Sequence, residues 1–259
     1  MQKSNGSDGL SKVWTAALIV IGDEILSGRT QDKNIAQVAT WLNRQGIRLE
    51  EVRVVPDVGA RIASAVNELR RTYDYVMTTG GIGPTHDDIT VDSIAAAFEV
   101  PVIVHPEARR ILEDYYATRG GVTAARLRMA RVPEGAELLP NPTSGAPGVR
   151  MDNVFILAGV PGIAAAMMEA LDGKLEGGRP MVSATVGAYA AESEVADLLR
   201  EAEAANDGVA IGSYPFFKDG RYGANFVVRS DDGNLVERTA KDLERRLSEA
   251  GIEPFSGGI

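Results

Sequence analysis

The chain contains no cysteine, which excludes disulfide staples, thiolate metal sites and cysteine nucleophiles and leaves the compartment open. It also lacks any block of lysine and arginine. Its 27 basic residues face 36 acidic ones for a net charge of -9, so nothing is laid out to neutralise a phosphate backbone, and nucleic acid is not an expected partner. No stretch is apolar over the length a bilayer requires, and Met1 to Lys12 is polar without the apolar centre of a secretory signal. No membrane association is expected, and the cytoplasm is the expected location. HExxH, the P-loop and the GxGxxG dinucleotide fingerprint are all missing, which argues against zincin, P-loop NTPase and Rossmann dehydrogenase chemistry. The sequence shows no internal repeat.

What is present has ordinary globular proportions: 259 residues, 44% hydrophobic and 24% charged, with 28 glycines and 12 prolines to make many tight connections. Thr15 to Ile21 is an almost unbroken apolar run ending at Gly22, the pattern of a strand buried on both faces of a parallel sheet. A loop carrying Asp23 and Glu24 follows. Ile35, Val38, Ala39 and Leu42 then recur at helical spacing between Asp32 and Gln45, with Gly46 where a C-cap glycine belongs. The unit repeats as a strand from Ile47 to Val55, a Pro56–Asp57 turn and a helix through Ile62, Val66 and Leu69. A third strand, Tyr75 to Thr79, enters a glycine loop at 80 to 83, and Ile94, Ala97 and Phe98 carry the next helix. Strand and helix in alternation predict a parallel sheet covered on both sides.

Further on, the spacing predicts a short strand from Pro101 to His105, a helix from Pro106 through Tyr116 and a shorter helix around Leu127. A proline-rich turn at 140 to 148, a last core strand from Val154 to Ala158 and a helix near Met167 follow. Leu175 to Pro180 is rich in glycine and charge and reads as a linker. The expected organisation is a disordered tail at 1–13, a principal α/β domain at 14–174 and a small α+β module at 181–259. In the module, strand, helix, strand, strand and helix follow in a ferredoxin-like order.

In an open parallel sheet, ligands bind beyond the carboxyl ends of the strands. Gly22, Asp23 and Glu24 leave strand one, Asp57 leaves strand two, TGGIGPTHDDIT at 79–90 leaves strand three and Gly159 to Gly162 leave the last core strand. Gly80, Gly81 and Gly83 let backbone amides approach an anion, and Asp87 and Asp88 face the same region. An anionic ligand among Asp23, Glu24, Asp57, Asp87 and Asp88 requires a hard divalent cation to bridge the charges. Each feature also has a plainer reading. The glycines can be a tight connection, Asp87 and Asp88 can be first-turn acids complementing a helix dipole, and Asp57 can be a turn former. His86 reads as a solvent-facing loop residue, His105 as structural, and Trp14 and Trp41 as packing residues.

GDEILSG at 22–28 with Asn34, the pair Pro56–Asp57, TGGIGPTHDDIT at 79–90 and NPTSGAPG at 141–148 resemble, in order, the signatures of the molybdopterin-binding domain of MoaB/Mog-like and CinA-type proteins. The match spans about residues 14 to 170, and IGSYP at 211–215 resembles the small second module of the CinA amino-terminal half. The resemblance implies a three-layer, mostly parallel sheet with a ferredoxin-like module after it. It further implies Asp57 and Asp88 as catalytic residues and Gly22, Asp23, Glu24, Gly80, Gly81, Gly83, Thr85, Ser144 and Gly145 around the ligand. Asp87 and Asp88 would hold a divalent metal, magnesium or alternatively cobalt or manganese.

The implied ligand is molybdopterin or a nucleotide, and relatives form homodimers or homotrimers. Three functions follow from the resemblance. One is hydrolysis of the diphosphate of ADP-ribose or FAD by a metal-activated water. Another is binding or adenylylation of molybdopterin, whose phosphate attacks the α-phosphorus of ATP. The third is ligand binding without turnover in an oligomer. The extra module at 181–259 favours the hydrolase. Two departures bear on the choice. LAGVPGI at 157–163 stands where relatives carry a proline after the leucine and a glutamate soon after the second proline. No counterpart of the CinA deamidase domain follows within the 259 residues, so nicotinamide mononucleotide deamidation is not expected.

Overall fold

Eight consecutive residues, Trp14–Ile21, form β1, an interior strand of the principal sheet, and their side chains alternate between two cores. Ala16, Leu18 and Val20 point into one; Ala17, Ile19 and Ile21 point into the other. This explains why the run is apolar throughout rather than alternating with polar residues. The computed structural model describes residues 12–259, and the chain divides after Gly178 into two compact units.

After β1, a one-turn helix, α1 (Asp23–Leu26), occupies the stretch expected to be a loop. Next come α2 (Asn34–Arg44), β2 (Ile47–Val55), α3 (Gly59–Thr72), β3 (Tyr75–Thr79) and α4 (Thr90–Ala97). The amide of Ile35 donates to Asp32 Oδ1 at 2.7 Å, starting α2, and Gly46 takes the left-handed conformation that ends it. β4 (Val102–Val104), α5 (Pro106–Tyr116) and α6 (Ala124–Leu127) follow, then a 3-10 turn over Arg128–Ala130. The first unit finishes with β5 (Arg131–Pro133), β6 (Glu137–Leu139), β7 (Gly148–Met151), β8 (Val154–Leu157) and α7 (Pro161–Glu169).

The principal sheet has the order β2-β1-β3-β8-β7-β6. β2, β1, β3 and β8 run parallel, while β7 and β6 fold back antiparallel. Against one face pack Val38, Trp41 and Leu42 of α2 with Met167 and Met168 of α7; against the other pack Ile62, Val66 and Leu69 of α3 with Ile94 of α4. The layers are those the sequence implies. The short strand expected at Pro101 to His105 is present as β4, which pairs antiparallel with β5 as a separate ribbon. Strands β5, β6 and β7 were not expected, because three- and four-residue strands carry too little periodicity to register.

Residues 1–11 of the expected tail lie outside the described residues. At 12 the expectation of disorder does not hold, because Lys12 Nζ pairs with Asp74 at 2.7 Å and sits 3.4 Å from the Trp14 ring centroid. The segment read as a linker stays with the first unit as far as Gly178: Leu175 packs on the core, Tyr75 Oη donates to the Glu176 carbonyl at 3.0 Å, and Gly178 N donates to Gly46 at 3.0 Å.

The second unit holds β9 (Val182–Ala188), α8 (Glu192–Ala204), β10 (Ala210–Lys218), β11 (Arg221–Ser230), α9 (Gly233–Glu249) and a short β12 (Pro254–Ser256) missed in the sequence. Its antiparallel order β10-β11-β9-β12 completes the ferredoxin-like arrangement. Asp219 and Gly220, both at positive φ, make the two-residue hairpin turn between β10 and β11. Val195 and Ala202 of α8 and Val236, Leu243 and Leu247 of α9 cover the Val186, Phe226 and Val228 face.

Because Leu18 is fully buried and Leu26 is 53% exposed, Leu18→Ala is expected to cost about 2–5 kcal/mol. Leu26→Ala should stay within about 0.5 kcal/mol. Denaturant titration of both variants checks this, and equal losses would contradict the core assignment.

Candidate active site

Strand order 2-1-3 means that the connections leaving β1 and β3 turn to opposite sides of the sheet, which opens a crevice at their carboxyl ends. The two loops leave these ends in close contact. Gly80 has φ +102°, and a Cβ there would run into the carbonyl oxygen of Ile21; one on Gly159, leaving β8, would stand 3.1 Å from Gly80 Cα. Gly81, also at positive φ, leaves no room for a Cβ beside Thr90 Oγ1. A side chain at 80 or 81 is therefore excluded by both conformation and space.

Thr90 fastens the loop. Its Oγ1 donates to the Gly80 carbonyl at 2.8 Å and its amide to the Gly81 carbonyl at 3.1 Å. Asp88 closes the far side, accepting on Oδ2 from the Thr85 amide at 2.7 Å and from the Thr85 hydroxyl. The opposite wall is set by Asn141, whose Nδ2 donates to Ser144 Oγ and the Ala146 carbonyl, each at 2.6 Å. Asn34, at the start of α2, donates to the Gly159 carbonyl at 2.9 Å, while its own Oδ1 is buried without a partner.

These elements enclose a cleft of about 550 Å³. Of the residues singled out in the sequence, Glu24, Gly80, Gly81, Gly83, Asp88 and Ser144 line it. Its remaining wall is largely apolar, built from Ile82, Tyr116, Met129, Val160, Ile163 and Met167. Ile163, in the segment LAGVPGI at 157–163, gives the cleft an aliphatic side chain there. Gly22, Asp23, Asp57, Thr85, Asp87 and Gly145 do not line the cleft. Gly145 has φ +73° and lies against the Tyr115 ring, supporting the wall from behind.

Asp57 stands on the β2 side of the crevice, its Oδ2 accepting from the Asp23 amide at 2.9 Å. Burial, followed by the charges of Asp23, Glu24 and Asp87, pushes its carboxyl above the usual aspartate range against the pull of that hydrogen bond. Asp87 is held low by the Thr85 hydroxyl and its own backbone amide. The carboxylates of Asp23, Glu24, Asp57 and Asp87 thus form one electronegative neighbourhood, and Glu24 joins it to the cleft.

No three His, Asp or Glu side chains among the described residues converge as a ready-made metal cage. Asp87 and Asp88 do not form one by themselves, because Thr85 engages both. The donor set suits a hard cation held by one or two carboxylates and completed by substrate phosphate oxygens and water. Elsewhere, the plainer readings hold. His86 is fully solvent-facing and His105 Nδ1 caps α5. Trp41 is buried, with its indole donating to Asp172 at 2.7 Å.

Residues 17–175 match the family described as "Probable molybdopterin binding domain", and residues 180–256 match "FAD synthase, middle domain". A protein of Aeropyrum pernix is 37% identical over 94% of this chain and 96% of its own length. A CinA-like protein of Citrifermentans bemidjiense is 32% identical over 90% of this chain and 58% of its own. A probable FAD synthase of Caenorhabditis elegans is 30% identical over 90% of this chain and 50% of its own. Among solved structures, the protein CinA of Thermoplasma acidophilum, described as of unknown function, aligns with a TM-score of 0.58 at 30% identity, covering 62% of this chain and 98% of that one. No helix among the described residues is long and apolar enough to cross a membrane.

Two outcomes test the geometry. Thr90→Val keeps the shape but removes the hydroxyl bonded to Gly80, and should cost about 1 kcal/mol with faster amide exchange confined to 80–90; unchanged exchange there would contradict the clasp. Asp57 binds its proton more tightly folded than unfolded, so its ionised form lowers stability at pH above the raised folded value, and that loss disappears as pH falls through it. Asp57→Asn in chelator should therefore raise the melting temperature at pH 7, by an amount that shrinks on acidification. A gain independent of pH would contradict this sign.

Proposed function

The chain belongs to the molybdopterin-binding-domain family in its CinA-type form, and on that premise we propose that it binds a nucleoside diphosphate with a divalent metal and hydrolyses it between the phosphates. The observation that carries this reading is the convergence of Glu24, the glycine loop, Asp88 and Ser144 on one cleft beside the Asp57 carboxylate cluster. Further support comes from the match of residues 180–256 to an FAD synthase domain and from a relative named as a probable FAD synthase.

The chemistry in this reading is addition of water to a phosphorus of ADP-ribose or FAD. The water oxygen forms a new P–O bond, the bridging P–O bond breaks, AMP is released, and the second product leaves as a phosphate monoester. Asp57, with its raised proton affinity, accepts the water proton. The glycine-loop amides bind the non-bridging oxygens, and Asp88, oriented by Thr85, faces the cleft contents. Tyr116, Met129, Ile163 and Met167 offer an apolar wall to a planar ring. Magnesium, manganese or cobalt, bound by rim carboxylates and the phosphates together, would neutralise charge developing at phosphorus. The reading includes a cytoplasmic location and a homodimer or homotrimer.

The family description supports a second reading, in which the same cleft binds or adenylylates molybdopterin. Incubation of the purified chain with ADP-ribose or FAD and each metal, measuring AMP, separates the two. Wild type is expected to release AMP, and Asp57→Asn and Asp88→Asn to lower the rate by roughly 10²- to 10⁴-fold with the fold intact. Unchanged rates in Asp88→Asn would sink the shared site. Absence of AMP from wild type would leave molybdopterin, or binding without turnover.

A further inference from the structure

The segment from 119 to 131 carries four arginines, and three of them are committed within the fold. Arg119 donates to the Tyr115 carbonyl and lies over that ring. Arg126 donates to the carbonyls of Arg119 and Gly121 and lies over Tyr116. Arg131 makes two hydrogen bonds to Asp92, at 3.1 and 2.5 Å. Arg128 differs, for its Nε is buried and has no hydrogen-bond partner, and its side chain forms no ion pair among the described residues. A buried, unpaired donor on a permanent cation is costly, because water no longer solvates it and nothing in the chain replaces the water.

Arg128 lines a recess of about 20 Å³ beneath the glycine loop, together with Gly81, Gly83, Asp88, Asp92 and Arg131. That is room for one water-sized atom such as a phosphoryl oxygen. The recess shares Gly81, Gly83, Asp88 and Met129 with the main cleft, so the two meet at the loop. Neither neighbouring acid forms an ion pair with Arg128. Asp92 is taken by Arg131, and Asp88 accepts from Thr85. On the cleft side the charged side chains are Glu24 and Asp88, both acidic, so the cation that meets the glycine loop from the recess is Arg128.

We propose that Arg128 is an anion-binding residue, and that the recess accepts a non-bridging oxygen of a ligand phosphate group from the main cleft. The guanidinium supplies charge-assisted donors to that oxygen, opposite the loop amides of Gly81 and Gly83. The proposal rests on reading the cleft as a phosphate site but not on turnover, and it assigns to the 3-10 turn a ligand contact that no glycine or carboxylate motif contains.

The test is calorimetric binding of inorganic pyrophosphate in excess Mg²⁺ to the full chain, comparing wild type, Arg128→Gln and Arg128→Lys. Wild type should bind, Arg128→Gln should bind roughly 10- to 100-fold more weakly, and Arg128→Lys should fall between. Since Arg128 has no partner to lose and its buried Nε is unsatisfied, the melting temperature of unliganded Arg128→Gln should be equal to or above that of wild type. No binding by wild type, equal affinity in Arg128→Gln, or a lowered melting temperature with affinity retained would each overturn the proposal. AMP release from ADP-ribose by the same wild-type sample is scored separately. Arg128-dependent pyrophosphate binding without AMP would uphold the anion site while sinking the hydrolase reading.

Discussion

The meeting of three strand ends, backbone against backbone, is the constraint on which the site depends. β1, β3 and β8 deliver Ile21, Gly80 and Gly159 to one place, and at Gly80 a side chain would collide with the Ile21 carbonyl. Two consequences follow from this approach. The loop must leave β3 at positive φ, which glycine tolerates, and its amides are then not used within the sheet and remain for a ligand. Thr90 fixes the conformation by taking both the Gly80 and Gly81 carbonyls. The first residue of α4 thereby secures the loop before it.

Electrostatics then divides the crevice. Its rim concentrates acids, with Asp57 held above its usual range by burial and by Asp23, Glu24 and Asp87. Such a rim is adverse to an anionic ligand unless a cation accompanies it, as metal-assisted phosphoryl chemistry requires. Beneath the loop, Arg128 offers the opposite charge. The wall between them is aliphatic and aromatic, with Ile163 among its residues. A ligand with a phosphate at one end and a flat ring at the other satisfies both environments.

Much of this was legible in the residues themselves. The apolar run of β1, the helical spacing in α2 and α3 and the glycine signature before α4 are long or specific enough to be read without coordinates. The carboxyl-end rule then placed Glu24, Gly80, Gly81, Gly83 and Asp88 near one another, and the family resemblance added Ser144. The antiparallel extension of the sheet was not legible, because β6 and β7 are three and four residues long. The short helix at Asp23–Leu26 was hidden by its length as well.

At the site, the supporting hydrogen bonds could not be read from sequence. Asn34 reaches across 125 positions to Gly159, and Thr90 acts by clasping backbone rather than through any chemistry its side chain advertises. Arg128 carries no motif, and only the partners of its neighbours reveal that it is left over. Separating the lining residues from Asp57 and Asp87 likewise required the three-dimensional arrangement.

If one ligand cleft lies at the carboxyl ends of β1, β3 and β8, amide hydrogen exchange of the full chain with and without AMP and Mg²⁺ will reveal it. Exchange should slow at 79–90 and 157–162, with the helical backs of α2 and α3 unchanged; exchange that is unaltered there, or slowed only elsewhere, would contradict a cleft at these strand ends.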